Sequence, residues 1–327
     1  MLRLLLVALL AVLVGGGVYF FWNYQIERHF EDGKFAYLKV TPRTRGESQD
    51  DRPPARSPKA AIRLATFNLV SLDERKLNSR AVGDALVKVL PRYELVALQG
   101  LRGPSRGAIV RLVEQINATA GRHYEFAAVP AGRDPNDEYS AFLFDQTALE
   151  IDRTTLHAVD TAGRIRRPPL VAAFRVRGLP EAEAFTFTAI NVHVSPDRAS
   201  AELDALADVF RAVRDDKRNE DDVILLGDIE ADENHLGQLG QVPGMAAAVT
   251  GTPTTLRGTR RADNILFDRR ATVEFTSSSG VFDLMRELDL SLEAAQEISD
   301  HLPVWAELSS YEGGQPGAMA GSGGAGR

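Results

Sequence analysis

The stretches VILLGDIEAD (residues 223–232) and ISDHLPVWAEL (residues 298–308) decide the fold of this chain. In the first, the apolar run Val223–Leu226 has the length of a fully buried strand, and Gly227-Asp228 closes it. In the second, Asp300 and His301 stand just before another apolar run, Val304–Leu308. Each stretch places an acid or a histidine where a buried strand leaves a core. The arrangement recurs elsewhere. Asn68 follows Ile62–Phe67, His193 ends the run Phe185–Val192, and Asp263 precedes Ile265–Phe267. A single polar residue at a strand end is ordinarily a cap or turn former. Five such positions, holding two His and three Asp beside Asn68, have the composition needed for metal-assisted attack of water on a phosphodiester.

Outward from these blocks, further strand-length runs occur at Leu95–Leu98, Ala141–Phe144 and Leu170–Val176. Helical periodicity is clearest over Ala199–Arg214, where Leu203, Leu206, Ala207, Phe210 and Val213 share one stripe. Leu77–Leu90 and Ala108–Thr119 read as helices in the same way. From Tyr124 to Val194 strand character continues without an intervening helix, which argues against a simple doubly wound sheet. An α/β sandwich with two facing sheets fits better.

The termini read differently. Leu4–Trp22 carries no charge over 19 residues and ends in Tyr19, Phe20, Phe21 and Trp22, as expected for one transmembrane helix with an interfacial aromatic belt. No small-x-small cleavage site follows it, so an uncleaved anchor over residues 1–25 is expected rather than a signal peptide. The expected topology is single-pass, with the domain extracytoplasmic. Residues 26–60 read as a juxtamembrane segment and linker, residues 61–311 as one domain, and residues 312–327, rich in Gly and Ala, as a disordered tail. Hydrophobic residues at 44% and charged residues at 25% fit a globular core, and the absence of cysteine excludes disulfides, thiolate metal sites and Cys nucleophiles. A net charge of −7 gives no basic footprint for non-specific nucleic-acid binding, although a local rim or a metal can reverse the field in a cleft.

The blocks ATFNL (65–69), INVHVSPD (190–197), VILLGDIEAD, RRADNILF (260–267) and ISDHLPVWAEL resemble, in order and spacing, the signature blocks of the endonuclease/exonuclease/phosphatase superfamily. DEYSAFLFD (137–145) and RRPPLVAAF (166–174) make the resemblance closest to deoxyribonuclease I. It implies a four-layer α/β/β/α sandwich with the active site at one edge of the two sheets. By position it implies His301 as general base oriented by Asp263, and His193 as general acid or electrostatic stabiliser paired with Glu138. Asp228 and Asn68 would contact the scissile phosphate or its metal. Asp300 would ligate Mg²⁺, Mn²⁺ or Ca²⁺, and Arg167 would hold phosphate, with Arg102 at the cleft rim. DNA or another phosphodiester would be the substrate, and no protein partner can be inferred.

Two positions depart from the family pattern. Where the family has Gln-Glu at the end of its second strand, the Glu being a metal ligand, this chain has Gln99-Gly100. Where the family has Gly-Asp-x-Asn, this chain has Glu230. The two changes together conserve one carboxylate, so Glu230 is a candidate to replace the missing metal ligand. The alternatives are a catalytically inactive, membrane-tethered binding domain, and a phosphatase acting on lipid head groups or other small phosphoesters.

Overall fold

The computed structural model describes residues 24–31, 34–42, 53–103, 106–129, 138–216, 218 and 220–315. The chain divides into two compact units between residues 52 and 53. The apolar run Leu4–Trp22 lies outside the described residues, and among the described residues no helix is long and apolar enough to cross a membrane. In the first unit, β1 (Tyr24–Glu31) pairs antiparallel with β2 (Lys34–Pro42); β1 begins in the last two residues read as anchor, and the rest of the pair lies in the segment read as juxtamembrane and linker.

The second unit contains two six-stranded sheets. In spatial order one sheet is β13 (Phe275–Val281), β14 (Val304–Ser309), β3 (Ala61–Leu72), β4 (Leu95–Leu101), β6 (Tyr139–Asp145) and β5 (Tyr124–Val129). The other is β11 (Met245–Ala247), β12 (Asp263–Asp268), β10 (Val223–Asp228), β9 (Thr186–His193), β8 (Leu170–Val176) and β7 (Leu149–Ala158). Both sheets are mixed: β3 and β4 run parallel, as do β9 and β10, and the other neighbours are antiparallel.

Strand periodicity separates three cores. In β3, Ile62 and Leu64 face the layer between the sheets, while Ala65 and Phe67 face helices outside. The central layer is rich in phenylalanine, with Phe142, Phe174 and Phe187 packed ring to ring at centroid distances of 5.4 and 5.6 Å. Helices Arg80–Val89, Gly107–Ala120 and Leu292–Ile298 cover one outer face. Helix Ala199–Arg214 covers the other with the stripe read from sequence. The result is the expected four-layer sandwich.

Three local expectations need correction. Residues 312–315, expected in the disordered tail, include an ordered turn at Glu312–Gly314, held where Glu312 Oε2 accepts from Thr186 N at 3.2 Å. The helix expected over 77–90 is broken, because Asp73 caps a turn at Glu74–Leu77 and a second helix starts after Ser79. Residues 53–60 do not behave as a free linker. Arg56 N–H donates to Thr147 O at 3.0 Å, and the Arg56 guanidinium bridges Glu94 and Asp145. Partnered charge, which looked like linker composition, anchors this segment to the domain.

Candidate active site

The strand register that builds the central core also builds the site. Asn68 continues the inward parity of Ile62 and Leu64, and His193 that of Phe187 and Ala189. Asp228 continues Ile224 and Leu226, and Asp263 precedes Ile265 and Phe267 on the same face. Asp228 is the register partner of His193 on one side and of Asp263 on the other. These polar side chains therefore meet where the apolar layer ends. Beneath them, Gln99 Nε2 donates to Asn191 Oδ1 at 2.8 Å and Asn191 Nδ2 to Ala141 O at 3.0 Å, which ties the two sheets together below the site.

Two histidine–carboxylate pairs converge on Asp228. His301 Nδ1 lies 2.9 Å from Asp263 Oδ2, and its Nε2 lies 3.8 Å from Asp228 Oδ2. His193 Nδ1 lies 2.5 Å from Glu138 Oε1, and its Nε2 lies 3.7 Å from the same Asp228 oxygen. Asn68 Nδ2 donates to that oxygen at 2.8 Å and stands 3.4 Å from His193 Nε2. In each pair the carboxylate contacts Nδ1 and leaves Nε2 facing the shared centre, which fixes the ring's orientation.

Residues that the sequence did not single out hold this arrangement in place. Thr254 Oγ1 donates to Asp263 Oδ2 at 2.9 Å. Ser299 Oγ donates to Asn68 O at 2.7 Å and accepts from His301 N, joining the first strand to the last block. Glu202 is fully buried; its two oxygens accept from Ser195 N and Arg166 N, at 2.8 and 3.0 Å, and so set the loops beside His193 and Arg167. A buried glutamate on the apolar stripe of a helix was the available signal.

Burial disfavours an imidazolium at His301, but the Asp263 hydrogen bond and the charges of Asp263, Asp228 and Asp300 outweigh it and raise the pKa to about 9. Burial likewise pushes the Asp263 carboxyl up, against the pull of His301. At Glu138 burial is again the largest influence and acts upward. His193, Arg167 and Arg102 overcome it and hold the carboxyl below its ordinary value. Arg167 Nε lies 3.0 Å from Glu138 Oε1, and Arg102 reaches the other oxygen at 4.0 Å.

The candidate metal ligands do not all gather. Asp228, Asp263 and His301 form a buried group whose ligand atoms lie within 4.8 Å of one another, and neither Asp300 nor Glu230 belongs to it. Asp300 is exposed, 3.9 Å from His301 Nε2. Glu230 sits on a positive φ of 54° with its carboxylate paired to Arg260. Arg261 pairs with Asp232 and Glu233, Arg166 with Asp197, and Arg164 with Asp208, so these rim arginines are already engaged by acids.

Gly100 has its own physical reason. Its φ is +70°, and a Cβ there would stand 2.7 Å from both Asn68 Oδ1 and Val70 N. The opposing strand bulges between Asn68 and Leu72, with Val70 and Ser71 also at positive φ, 45° and 63°. Lys76 Nζ donates to the carbonyls of Leu69 and Val70, at 2.6 and 2.8 Å, and clamps that bulge. The backbone of Val70 and Ser71 thus fills the space into which a side chain at position 100 would project.

No family model matches the chain. Deoxyribonuclease-1-like 2 of Homo sapiens is 30% identical over 286 residues, covering 77% of this chain and 93% of that protein. The chain belongs to the deoxyribonuclease I-like family. Deoxyribonuclease-1 of Oryctolagus cuniculus is 27% identical over 268 residues, covering 76% of this chain and 93% of that protein. Among solved structures, a humanized D. rerio TDP2 superposes with a TM-score of 0.55 at 16% identity, covering 77% of this chain and all of that one. An endonuclease/exonuclease/phosphatase from Bacteroides vulgatus superposes at 0.52, also at 16% identity, with the same coverage. These likenesses share the sandwich, and the deoxyribonuclease I-like family places this chain among hydrolases of nuclease and phosphodiesterase type.

Proposed function

We propose that this domain is a divalent-metal-dependent phosphodiesterase whose leading substrate is DNA. The observation that carries the reading is the convergence of two histidine–carboxylate pairs on one Asp228 oxygen, at 3.7 and 3.8 Å. His301 Nε2 takes a proton from the attacking water, and Asp263, Asp228 and Asp300 stabilise the imidazolium that results. His193, held by Glu138, donates to the leaving oxygen. Arg167 and Arg102 on the same side meet the non-bridging phosphate oxygens. The relatives' names support a DNA substrate, as does the fold neighbour D. rerio TDP2, described in complex with a single-strand DNA product.

The carboxylates fit a hard cation: Asp228 would contribute one oxygen and the exposed Asp300 a second close to His301, while Asn68 holds Asp228 through its Nδ2 and keeps its Oδ1 on Val70 N. A bound Mg²⁺, Mn²⁺ or Ca²⁺ would supply charge neutralisation at the phosphoryl group. Glu230 joins this set only if Arg260 releases it, and Arg260 otherwise cancels its repulsion of a phosphate. The apolar length of Leu4–Trp22 supports a single-pass anchor, which would keep bilayer head groups within reach as a second substrate class. The inactive-binder reading draws on Gly100, where the family's ligand position is closed by backbone.

The purified chain, assayed with Mg²⁺, Mn²⁺ or Ca²⁺ on plasmid DNA, a small phosphodiester and phosphoinositide vesicles, is expected to cut DNA fastest. Faster release of phosphate from the vesicles would move the substrate to lipid head groups. Rates no higher than those of His301→Ala with every metal and substrate would leave only the binding domain.

A further inference from the structure

Strand β10 ends in an aspartate on both sides. Asp228 enters the active site, and Asp222 precedes the strand at its other end, six residues and about 20 Å away. Asp222 and Glu274 are each 2% exposed, and the partly exposed Glu312 completes a group whose carboxylate oxygens lie within 4.8 Å of one another. The three come from separate parts of the sandwich. Asp222 O accepts from Thr188 N in one sheet, and Glu274 O accepts from Ser309 N in the other. Glu312 lies on the C-terminal turn, and its Oε2 accepts from Thr186 N at 3.2 Å.

Buried carboxylates are ordinarily paired with cations or saturated with donors. Among the described residues no lysine or arginine pairs with any of these three; Glu274 Oε1 accepts from Gly313 N at 2.6 Å, but Asp222 Oδ1 and Glu274 Oε2 have no donor beyond the bond the two carboxyl groups can make to each other. The Thr272 hydroxyl, on a residue 1% exposed, lies against Asp222 and is likewise without a well-formed hydrogen bond. Glu220 and Asp221 add further negative charge beside Asp222. Three carboxylates this close together and this buried are not stable as anions unaided. Two oxygens facing one another across a calcium ion stand about 4.8 Å apart, twice a bond of about 2.4 Å, and every pair in this group lies within that distance.

We propose that Asp222, Glu274 and Glu312 form a second divalent-cation site, taking a hard, oxygen-seeking ion such as Ca²⁺, that ties the two sheets and the C-terminal turn together at the end of the sandwich away from the active site. Thr272 Oγ1 supplies a neutral oxygen. The role is structural: none of the three touches Asp228, either histidine or Arg167, so loading the site raises stability without supplying a catalytic group.

The test uses the full chain, stripped with EDTA and titrated with CaCl₂, following bound calcium by calorimetry and unfolding by melting temperature. The wild type is compared with Asp222→Asn/Glu274→Gln and with Glu312→Gln. At calcium 100-fold above the dissociation constant, this site is expected to add about 5–10 °C to the wild-type Tm. The double variant is expected to bind one calcium fewer and to lose that increment while keeping DNA cleavage at saturating Mg²⁺. Glu312→Gln, on a partly exposed side chain, is expected to need at least tenfold more calcium for the same rise, and it carries the test if the double variant fails to fold. Equal calcium counts and equal Tm rises in the variants that fold would overturn the proposal and leave a carboxyl pair that shares a proton.

Discussion

His301–Asp263 and His193–Glu138 approach the same oxygen from different surroundings. The His301 side is the more enclosed. Asp263 is fully buried behind the Thr254 hydroxyl, and the charges around His301 are those of Asp263, Asp228 and Asp300. On the His193 side, Arg167 and Arg102 lean on Glu138 and open toward the cleft rim. The acids around His301 therefore favour its protonated ring, and His193 stands where phosphate charge would be met by guanidinium. Environment, rather than residue type, separates the two roles.

The comparison can be broken or sharpened by substitution. Asp263→Asn leaves His301 without its charged partner, and kcat is expected to fall about 1,000-fold; a loss below tenfold, in a variant that still melts like wild type, would remove the asymmetry. Glu138→Gln keeps the shape but frees His193 and two arginines, with an expected loss of about 100-fold in kcat. Gly100→Glu tests the centre between the pairs. With φ at +70° and Asn68 and Val70 in the way, it is expected to cost about 2 kcal/mol by denaturant titration and not to raise activity. A stable, more active Gly100→Glu would mean that the bulge opens readily and the family's ligand position is usable. Arg167→Lys keeps the charge but loses the planar fork, so KM for DNA is expected to rise about tenfold with kcat nearly unchanged; a fall in kcat alone would move Arg167 from holding phosphate to positioning Glu138.

What the sequence could reveal follows from burial. The eight apolar runs correspond to the eight interior strands of the two sheets, whereas β5, β7, β11 and β13 are the four sheet edges. An edge strand has one unpaired side and fewer buried positions. Arg153 and Thr154 in β7, or Ser277 and Ser278 in β13, therefore carry no apolar signal. Four candidate site residues, Asn68, His193, Asp228 and Asp263, were legible for the complementary reason: each continues the inward-facing register of an apolar strand. Their supports were not. Thr254, Ser299, Lys76 and Glu202 act through side-chain hydrogen bonds to residues 7 to 231 positions away, which an apolar pattern does not encode. Gly100 was legible as a departure from the family, but the positive φ and the facing bulge that call for glycine there belong to the backbone. The pairing of Glu230 with Arg260 across thirty residues was equally out of reach.

The central claim is that both histidine pairs serve one reaction, and a double-mutant cycle on DNA cleavage tests it most directly. His301→Ala and His193→Ala are each expected to cost about 1,000-fold or more in kcat/KM, and the double variant no more than about tenfold beyond the worse single. Fully multiplicative losses, or one single variant with wild-type rates, would show that the two pairs do not act on the same phosphate.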